Sequence, residues 1–398
     1  MTNVLPLHMM KSAMPSSQLY DCKILIADDF NFCRVMLHDC FSSYGFKHIY
    51  EAVDGQDTID KIDEIRPDLI LLDMNMPHKS GLEVCAYIKQ YHAIDDIVII
   101  MQTGSDKDSL RSSAFEAGIT DFVSKPLEAM EVMLRSVAHL ERLLLKRNIQ
   151  HQYEEIYHDL TQARAIQRIL LPDASLLERI CHDYKLDISF HFQPASELAG
   201  DYISVRALDD GRVALISADV SGHGIASALY AFTIHALLSN EFMEHQTAGD
   251  ILCGLNKRLC MTEIYTMHAT ILLVIIDPKT RVMTYASAAA PPTILLSDGR
   301  PAILDTRGYL LGMDIDARFT THELTLCSRD VLFICSDALY ETPDLDGAFI
   351  TEDDAYKLVK ASQHESAKDM VESVTSYFGR YHQKLLSDDL SLLTCKLL

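Results

Sequence analysis

Three acidic residues close two short apolar segments in the first third of the sequence. Asp28 and Asp29 follow the run CKILIA, and Asp73 ends the run DLILLD. Carboxylates that converge at one edge of a sheet repel one another unless a cation lies among them, and Mg²⁺ suits such a place because it prefers oxygen ligands. A carboxylate held near a metal and a lysine can accept a phosphoryl group as an acyl phosphate. These residues therefore predict a phosphoryl-transfer site that holds Mg²⁺.

A hydroxyl and a cation accompany these acids at the ends of two further segments. Thr103 ends the run IVIIMQT at 97–103, and Lys125, followed by Pro126, ends the last segment. Each acid alone is more often a solvated strand end or a helix cap, and Asp28 could cap the helix after it. The combination of these residue types at successive strand ends favours the functional interpretation.

Four acidic motifs follow in the C-terminal half. Widely separated carboxylates without accompanying cysteine ligands indicate a site for Mg²⁺ or Mn²⁺. Two such ions can share a water molecule, lower its pKa and orient it for in-line attack on phosphorus, so no nucleophilic side chain is required. Each motif alone could be a turn, whereas four in order predict a two-metal hydrolase. The motifs are AGD at 199–201, DVSGHG at 219–224, SDA at 336–338 and DD at 388–389.

The apolar segments of the first third alternate with segments of helical length. Continuous apolar runs of this kind suit parallel strands that are buried on both faces. The alternation predicts an α/β doubly wound sheet, in which ligands bind at the carboxyl ends of the strands. The acids fall at that end. We expect helices near 30–44, 55–65, 81–91 and 106–117.

A long helix is expected between the two groups of motifs, because no Gly or Pro occurs from about 130 until Pro172. Its apolar positions alternate in steps of four and three, which is a heptad seam over about three repeats. A coiled-coil dimer and a single helix packed on its own domains both fit this pattern. The seam consists of Ile149, Tyr153, Ile156, Leu160, Ala163, Gln167 and Leu170.

The remainder of the chain has many strand-like runs and few interleaved helices, which predicts an α+β (α-β-β-α) sandwich. We expect strands at 185–193, 202–208, 212–218, 269–276, 281–287, 331–336 and 390–397, and helices near 225–243, 248–260, 352–362 and 366–380. The expected divisions are an N-terminal extension at 1–20, a first domain at 21–138, a helical linker at 139–172 and a second domain at 173–398.

The composition argues against several classes of protein. With 57 acidic and 35 basic residues, the formal charge of −22 disfavours binding to nucleic acid, which needs a basic face. The ten cysteines form no C-x-x-C pair, so we expect free thiols in a reducing cytoplasm and no zinc site. The longest apolar run, ATILLVII at 269–276, is too short to span a bilayer. We expect a cytoplasmic protein without a membrane partner.

The first group of motifs resembles the receiver domain of two-component response regulators over about residues 21–138. The matching pieces are ADD at 27–29, LLDMNMP at 71–77, QTG at 102–104 and SKP at 124–126. The resemblance implies that Asp73 is the phospho-acceptor. It implies that Mg²⁺ is held by Asp29, Asp73 and the carbonyl of Asn75, with help from Asp28. It also implies that Thr103 and Lys125 contact the phosphoryl oxygens and that Phe122 is the aromatic switch residue.

The second group resembles the SpoIIE/RsbU branch of the metal-dependent (PPM) serine/threonine phosphatases. The matching pieces run from ARAIQRILLP at 163–172, through LLGM at 310–313 and Glu341, to the end of the chain. The resemblance implies two Mn²⁺ or Mg²⁺ ions. Asp201 and Asp219 would bind or bridge both ions with the Val220 carbonyl. The second ion would be completed by Asp337 and Asp388, and Asp389 is a close competitor of Asp388.

Three departures from the family pattern bear on catalysis. This chain has Ala199 where the family has the first Gly of Gly-Gly-Asp, and it has Ser336-Asp337-Ala338 where the family has Thr-Asp-Gly. It also has SAAA at 287–290 in place of Asn-Ala-Gly-His. An added methyl group beside a metal-binding loop can shift the backbone, and small displacements matter for catalysis.

These resemblances imply partners and a mode of control. A sensor histidine kinase would phosphorylate Asp73, and the helix from about 128 to 170 would carry the change to the second domain. The implied substrate is a phosphorylated anti-sigma-factor antagonist of the STAS type, and we expect a homodimer. The alternative function is an inactive phosphatase-like adaptor that binds a sigma factor or an anti-sigma partner. Retention of the acids favours the enzyme, and the alanine substitutions mildly favour the adaptor.

Overall fold

The computed structural model describes residues 16–92, 96–104, 118–222, 224–262, 266–297, 300–344, 347–381 and 386–398. The chain divides into two compact units, Met1–Ile156 and Tyr157–Leu398. The boundary falls inside one long helix, and each unit has its own sheets and core.

The N-terminal unit contains a five-stranded sheet in the order β2-β1-β3-β4-β5. All four neighbouring pairs are parallel. The central strand β3 is buried along its whole length, and this agrees with the apolar run that predicted it. The strands are β1 (Lys23–Ala27), β2 (His48–Ala52), β3 (Leu69–Asp73), β4 (Val98–Gly104) and β5 (Asp121–Lys125).

Helices separate these strands, and three of them confirm the predicted positions. Asp54 caps one by accepting hydrogen bonds from two backbone amides, and Ser80 and Glu83 form a capping box at the start of another. Residues 105–117, which include the whole helix expected near 106–117, lie outside the described residues. The helices are α1 (Ser16–Tyr20), α2 (Asn31–Ser43), α3 (Gly55–Ile65) and α4 (Gly81–Tyr91).

The short helix α1 lies within the segment that we expected to be an N-terminal extension. Its last residue, Tyr20, packs edge-on against Phe46, with ring centroids 5.6 Å apart. Residues 16–20 are therefore part of the packed N-terminal unit, whereas residues 1–15 lie outside the described part of the chain.

The expected long helix is α5 (Ala129–Gln167), followed by a 3₁₀ turn at Arg168–Leu170. The heptad seam changes character along it. Ile149, Tyr153 and Ile156 are 57%, 65% and 59% exposed, whereas Gln167 and Leu170 are buried in the C-terminal unit. Among the described residues, no helix combines the length and the apolar character needed to cross a membrane.

The C-terminal unit contains two five-stranded antiparallel sheets, in the orders β13-β10-β9-β8-β7 and β12-β11-β14-β15-β6. One apolar cluster joins residues from both sheets, so the sheets face each other. The strands are β6 (Leu186–Gln193), β7 (Tyr202–Ala207), β8 (Val213–Val220), β9 (Ala269–Asp277), β10 (Val282–Ala288), β11 (Ile294–Ser297), β12 (Arg300–Ile303), β13 (His322–Thr325), β14 (Val331–Cys335) and β15 (Leu390–Leu397).

Helices cover the outer face of each sheet and complete the predicted α-β-β-α sandwich. The helices α7 and α8 pack on the first sheet, and α9, α10 and α11 pack on the second. The helices are α6 (Ala174–Tyr184), α7 (Ile225–Glu244), α8 (Ala248–Cys260), α9 (Ala338–Glu341), α10 (Glu352–Ala361) and α11 (Ala367–Tyr381).

Candidate functional site

The N-terminal site lies at the carboxyl edge of the parallel sheet. Asp28 follows β1, Asp73 ends β3 and Lys125 ends β5, so the topology brings the three residues together. Lys125 Nζ lies 3.0 Å from Asp28 Oδ2 and 2.7 Å from Asp73 Oδ2. Both carboxylates are buried, and the lysine is their shared counterion.

A third carboxylate, that of Asp29, joins this pair. One oxygen each from Asp28, Asp29 and Asp73 lies within 4.8 Å of the other two, and Asp29 is the exposed member. Burial raises the pKa of Asp73 above its usual value; Lys125 opposes this shift and Asp28 adds to it. Three oxygen donors at this spacing, open to solvent on the Asp29 side, fit the coordination that Mg²⁺ prefers.

The other predicted residues of this site surround the carboxylates. Asn75 donates its backbone N–H to Asp73 Oδ1 at 3.4 Å. Thr103 follows Gln102, which is the β4 residue paired with Asp73. The ring of Phe122 is partly buried on the sheet face covered by α3 and α4. Six of the predicted residues therefore lie at the carboxyl edge of the sheet, whereas Phe122 lies on the sheet face, three residues before Lys125.

The C-terminal site gathers carboxylates from both antiparallel sheets. Asp201 directly precedes β7, and Asp219 and Val220 end the neighbouring strand β8. In the other sheet, Asp337 follows β14 at the start of α9, and Asp388 lies two residues before β15. Two of the four predicted acids therefore lie at the ends of the neighbouring strands β7 and β8, and the other two lie beside the neighbouring strands β14 and β15.

Asp389 connects the two sheets at this point. Its Oδ1 accepts a hydrogen bond from the Ala195 amide at 2.7 Å, and its Oδ2 accepts one from the Gly200 amide at 2.6 Å. The Asp201 amide lies 3.5 Å from the same Oδ2. Asp389 therefore fixes the loop that presents Asp201, whereas the carboxylate of its neighbour Asp388 remains partly exposed.

The carboxylates of this site raise one another's pKa. Burial is the main cause of the rise at Asp219, to about 8, and the charges of Asp337 and Asp388 add to it. Burial followed by Asp388 and Glu341 raises the pKa of Asp337 to about 6. The buried Asp201 also has a pKa well above its usual value. Such a concentration of negative charge favours cations among the side chains.

The spacing of these acids differs from that in the N-terminal site. Within the described part of the chain, no three of them bring an oxygen each within 4.8 Å of the others. The two sheets nevertheless offer carboxylate oxygens to a common region, and such oxygen ligands suit hard divalent metal ions.

Gly200 explains how the two metal-binding loops can approach each other. A Cβ atom at this position would lie 2.9 Å from the Val220 carbonyl oxygen and 3.2 Å from that of Gly222. Only glycine leaves this space free, so the backbone beside Asp201 can pack directly against the end of β8.

Gln167 is a residue of this site whose role the sequence did not predict. Its Nε2 donates to the Ala199 carbonyl at 2.6 Å, and the Ala199 amide donates to its Oε1 at 3.1 Å. Gln167 is the last residue of α5, and Ala199 stands two residues before Asp201. The only signal in the sequence was a polar residue in an otherwise largely apolar seam.

The structure accommodates the departures from the family pattern. Ser336 Oγ donates to the Asp389 carbonyl at 2.8 Å and accepts from the Ser391 amide at 2.9 Å. Ala199 and Ala338 do not adopt a positive φ, so neither position requires glycine. Ala289 does adopt one, with φ 54°.

Comparison with known proteins identifies a family for each of the two parts of the chain. The family profile of the response regulator receiver domain matches residues 24–136, and that of Stage II sporulation protein E (SpoIIE) matches residues 209–398. The Chemotaxis protein CheY of Bacillus subtilis (strain 168) is 36% identical over 111 residues, which are 28% of this chain and 91% of that protein. The chain belongs to the response regulator family. Its receiver domain is fused to a SpoIIE-type PPM phosphatase domain.

A solved structure supports the fold of the second domain. The SiaA-PP2C domain of Pseudomonas aeruginosa superposes with a TM-score of 0.55 at 18% identity, covering 62% of this chain and 98% of that chain. At this identity the likeness shows the fold alone, a PP2C-like α+β sandwich. Both resemblances and the predicted fold class are confirmed. A receiver domain also implies a phosphodonor such as a kinase.

Proposed function

We propose that phosphorylation of Asp73 by a sensor histidine kinase controls a metal-dependent protein serine/threonine phosphatase in the C-terminal unit. The observation that carries this proposal is the gathering of carboxylates from both sheets around Asp219, where burial and mutual repulsion raise their pKa and favour a bound cation. A domain without catalytic metals would gain stability by replacing at least one of these acids. Their joint presence supports an enzyme.

Two Mn²⁺ or Mg²⁺ ions would be held by side chains of both sheets. Both ions would be bound by Asp201 and Asp219, with the Val220 carbonyl as a further ligand. The remaining ligands of the second ion would be Asp337 and Asp388. When bound, such ions generate a hydroxide from water and stabilise charge on the phosphoryl group. Asp389 would act as a positioning residue, because its oxygens already accept backbone hydrogen bonds.

The receiver residues would act on the phosphoryl group of Asp73. Lys125 already contacts the Asp73 carboxylate and would pair with the added phosphoryl oxygens, to which Thr103 would donate its hydroxyl. Mg²⁺ would be held by Asp29, Asp73 and the Asn75 carbonyl, with Asp28 assisting. To make this contact, Thr103 would move toward the phosphoryl group. Its movement would let the ring of Phe122 turn inward and change the receiver surface.

The helix α5 would transmit this change. It runs without interruption from Ala129 to Gln167, and Gln167 holds the backbone of Ala199 beside the metal-binding loop. A shift of the helix would therefore move Ala199 and alter metal binding at Asp201. The exposed seam residues Ile149, Tyr153 and Ile156 support a homodimer in which two copies of α5 pair along this seam.

The family resemblance suggests the substrate, a phosphoserine or phosphothreonine on an anti-sigma-factor antagonist of the STAS type. Removal of this phosphate would free the antagonist to bind an anti-sigma factor. One observation favours the adaptor as a second candidate: the segment 287–290 carries Ser and three Ala, so it offers little polar chemistry to a substrate. A measurement of phosphatase activity decides between the enzyme and the adaptor.

The test is Mn²⁺-dependent release of phosphate from a phosphoserine protein by the full chain, with and without a small-molecule phosphodonor. We expect turnover that Asp219→Asn abolishes and that the phosphodonor changes in the wild type but not in Asp73→Asn. A wild-type chain without turnover, whose Mn²⁺ binding is not reduced by Asp219→Asn, would refute the enzyme and leave the adaptor as the remaining candidate. Turnover that responds equally to the phosphodonor in Asp73→Asn would refute the control mechanism alone.

A further inference from the structure

A second group of potential metal ligands lies at the end of α7, far from the carboxylates described above. Glu241, Glu244 and His245 follow the spacing i, i+3 and i+4, which places them on one side of the helix. One ligand atom from each lies within 4.8 Å of the other two. The group is separated from the start of α7 by most of this helix, about 25 Å. It lines a cavity of about 380 Å³.

Glu241 carries the strongest indication of a missing ligand. The residue is completely buried, with an exposed fraction of 0%, and its Oε2 accepts no hydrogen bond from any described residue. A buried carboxylate oxygen without a partner is costly, because the protein does not replace the water that the oxygen has lost. Arg258 pairs with the other oxygen, Oε1, while His245 Nε2 lies 3.4 Å from Oε2 without forming a hydrogen bond.

The separation of these two atoms suits a shared metal ion. Zinc binds carboxylate oxygen and imidazole nitrogen at about 2.0–2.1 Å, so two ligand atoms of a tetrahedral site lie about 3.3 Å apart. The distance from Glu241 Oε2 to His245 Nε2 agrees with this value. The helix carboxyl terminus also favours positive charge at this place.

Neighbouring side chains hold the ligands in position. Arg258 donates from Nη2 to both oxygens of Glu244, at 2.8 and 2.9 Å, and from Nε to Glu241 Oε1. This leaves Glu241 Oε2 for the ion and is the type of outer contact that orients metal-binding carboxylates. At Gly254, a Cβ atom would lie 1.8 Å from Glu241 Oε2 and 3.0 Å from His245 Nε2, so only glycine leaves room for both atoms.

We infer that Glu241, Glu244 and His245 form a third metal site, which binds a Zn²⁺-class transition metal ion. Two carboxylates with one imidazole favour such an ion over Mg²⁺, for which oxygen-only sites are more suitable. The absence of cysteine-ligand spacing, on which the expectation of no zinc site rested, does not bear on a site of this composition. The inference does not depend on phosphatase activity.

The experiment is a calorimetric titration of the full chain with Zn²⁺ in excess Mg²⁺, which occupies the oxygen-only sites. Metal content after dialysis is measured in parallel. We expect His245→Ala to bind one Zn²⁺ fewer per chain than the wild type and to lose the thermal stabilisation by Zn²⁺ that the wild type shows. The matched control is His151→Ala, because His151 is an exposed histidine with Glu155 four residues further along a helix.

A second variant covers the case in which His245→Ala does not fold. Glu244→Gln removes an exposed ligand but keeps the buried pair of Glu241 and Arg258, and we expect it to weaken Zn²⁺ binding at least tenfold. Equal Zn²⁺ content in the wild type, His245→Ala and Glu244→Gln would overturn the inference.

Discussion

Gln167 and Ala199 are joined by two hydrogen bonds, one in each direction, between the Gln167 amide group and the backbone of Ala199. Both residues are buried, and 32 positions separate them in the sequence. This pair connects the end of the long helix with the loop that presents Asp201. It is the point at which a movement of the helix would reach a proposed metal ligand.

The first prediction concerns this pair. Gln167→Met keeps the length of the side chain but leaves the Ala199 amide and carbonyl without partners, which costs about 1–3 kcal/mol for each buried group. We expect weaker Mn²⁺ binding and a lower phosphatase rate, measured by calorimetry and phosphate release. Gln162→Met on the exposed side of the same helix is the control and should leave both unchanged. Equal effects of the two variants would remove Gln167 from the proposed coupling.

The second prediction concerns the contact between the two metal-binding loops. Gly200→Ala places a Cβ atom 2.9 Å from the Val220 carbonyl oxygen, so the loops must separate. We expect a loss of Mn²⁺ affinity together with a destabilisation of about 1–3 kcal/mol in urea unfolding. Gly379→Ala is the matched control, because no atom lies within 4 Å of that Cβ and alanine is the better helix former. Gly379→Ala should leave the stability unchanged or raise it. Unchanged Mn²⁺ affinity in Gly200→Ala would show that the two metal-binding loops tolerate separation.

The third prediction concerns pH. Asp219 and Asp337 have pKa values of about 8 and about 6 in the metal-free folded protein, above the value of about 4 in the unfolded chain. Between these values the folded protein holds protons that the unfolded chain has released, so stability must fall as pH rises from about 4 to about 8. Metal binding needs the ionised carboxylates, so Mn²⁺ affinity must rise over the upper part of this range, from about 6 to about 8.

Both the fall in stability and the rise in Mn²⁺ affinity can be tested by measuring the Tm across this pH range, once in a chelator and once in Mn²⁺. We expect the gain in Tm from Mn²⁺ to be larger at about pH 8 than at about pH 6. Asp219→Asn keeps the position neutral at every pH, so its chelator curve should be flatter than that of the wild type. A wild-type chelator curve that rises between these pH values would contradict the assignment of raised pKa values to these carboxylates.

The acids of both sites could be located from the sequence because they directly follow, end or precede apolar strands, and such positions in neighbouring strands meet at one edge of a sheet. The roles of Asp388 and Asp389 could not be separated in this way, since only the structure shows which of the two carboxylates accepts a hydrogen bond from the Gly200 amide. Gln167 was missed for a related reason. Its partner is the backbone of a distant residue, and backbone groups leave no mark in the sequence.

The strands that the sequence failed to predict are short or lack an apolar pattern. The strand β12 has four residues and is exposed throughout, so burial imposes no alternation on it. The helix α6 was also missed, although its N-terminal residue Asp173 caps it by accepting from the Leu176 amide. Pro172 ends the preceding helical pattern directly before this cap, and a proline at that place is equally typical of a loop.

The last prediction concerns Ala289, which adopts φ 54° where the family pattern has glycine. The left-handed conformation costs alanine about 1–2 kcal/mol, and glycine avoids this cost but loses about 0.4–1 kcal/mol through the greater entropy of the unfolded chain. Ala289→Gly should therefore raise the free energy of unfolding slightly, by up to about 1 kcal/mol, as measured in urea. Ala288→Gly is the control: Ala288 is buried in β10 without a positive φ, so glycine there should destabilise. If Ala289→Gly also raises phosphate release, the departure at this position limits catalysis; unchanged release would mean that the strain at Ala289 is confined to local stability.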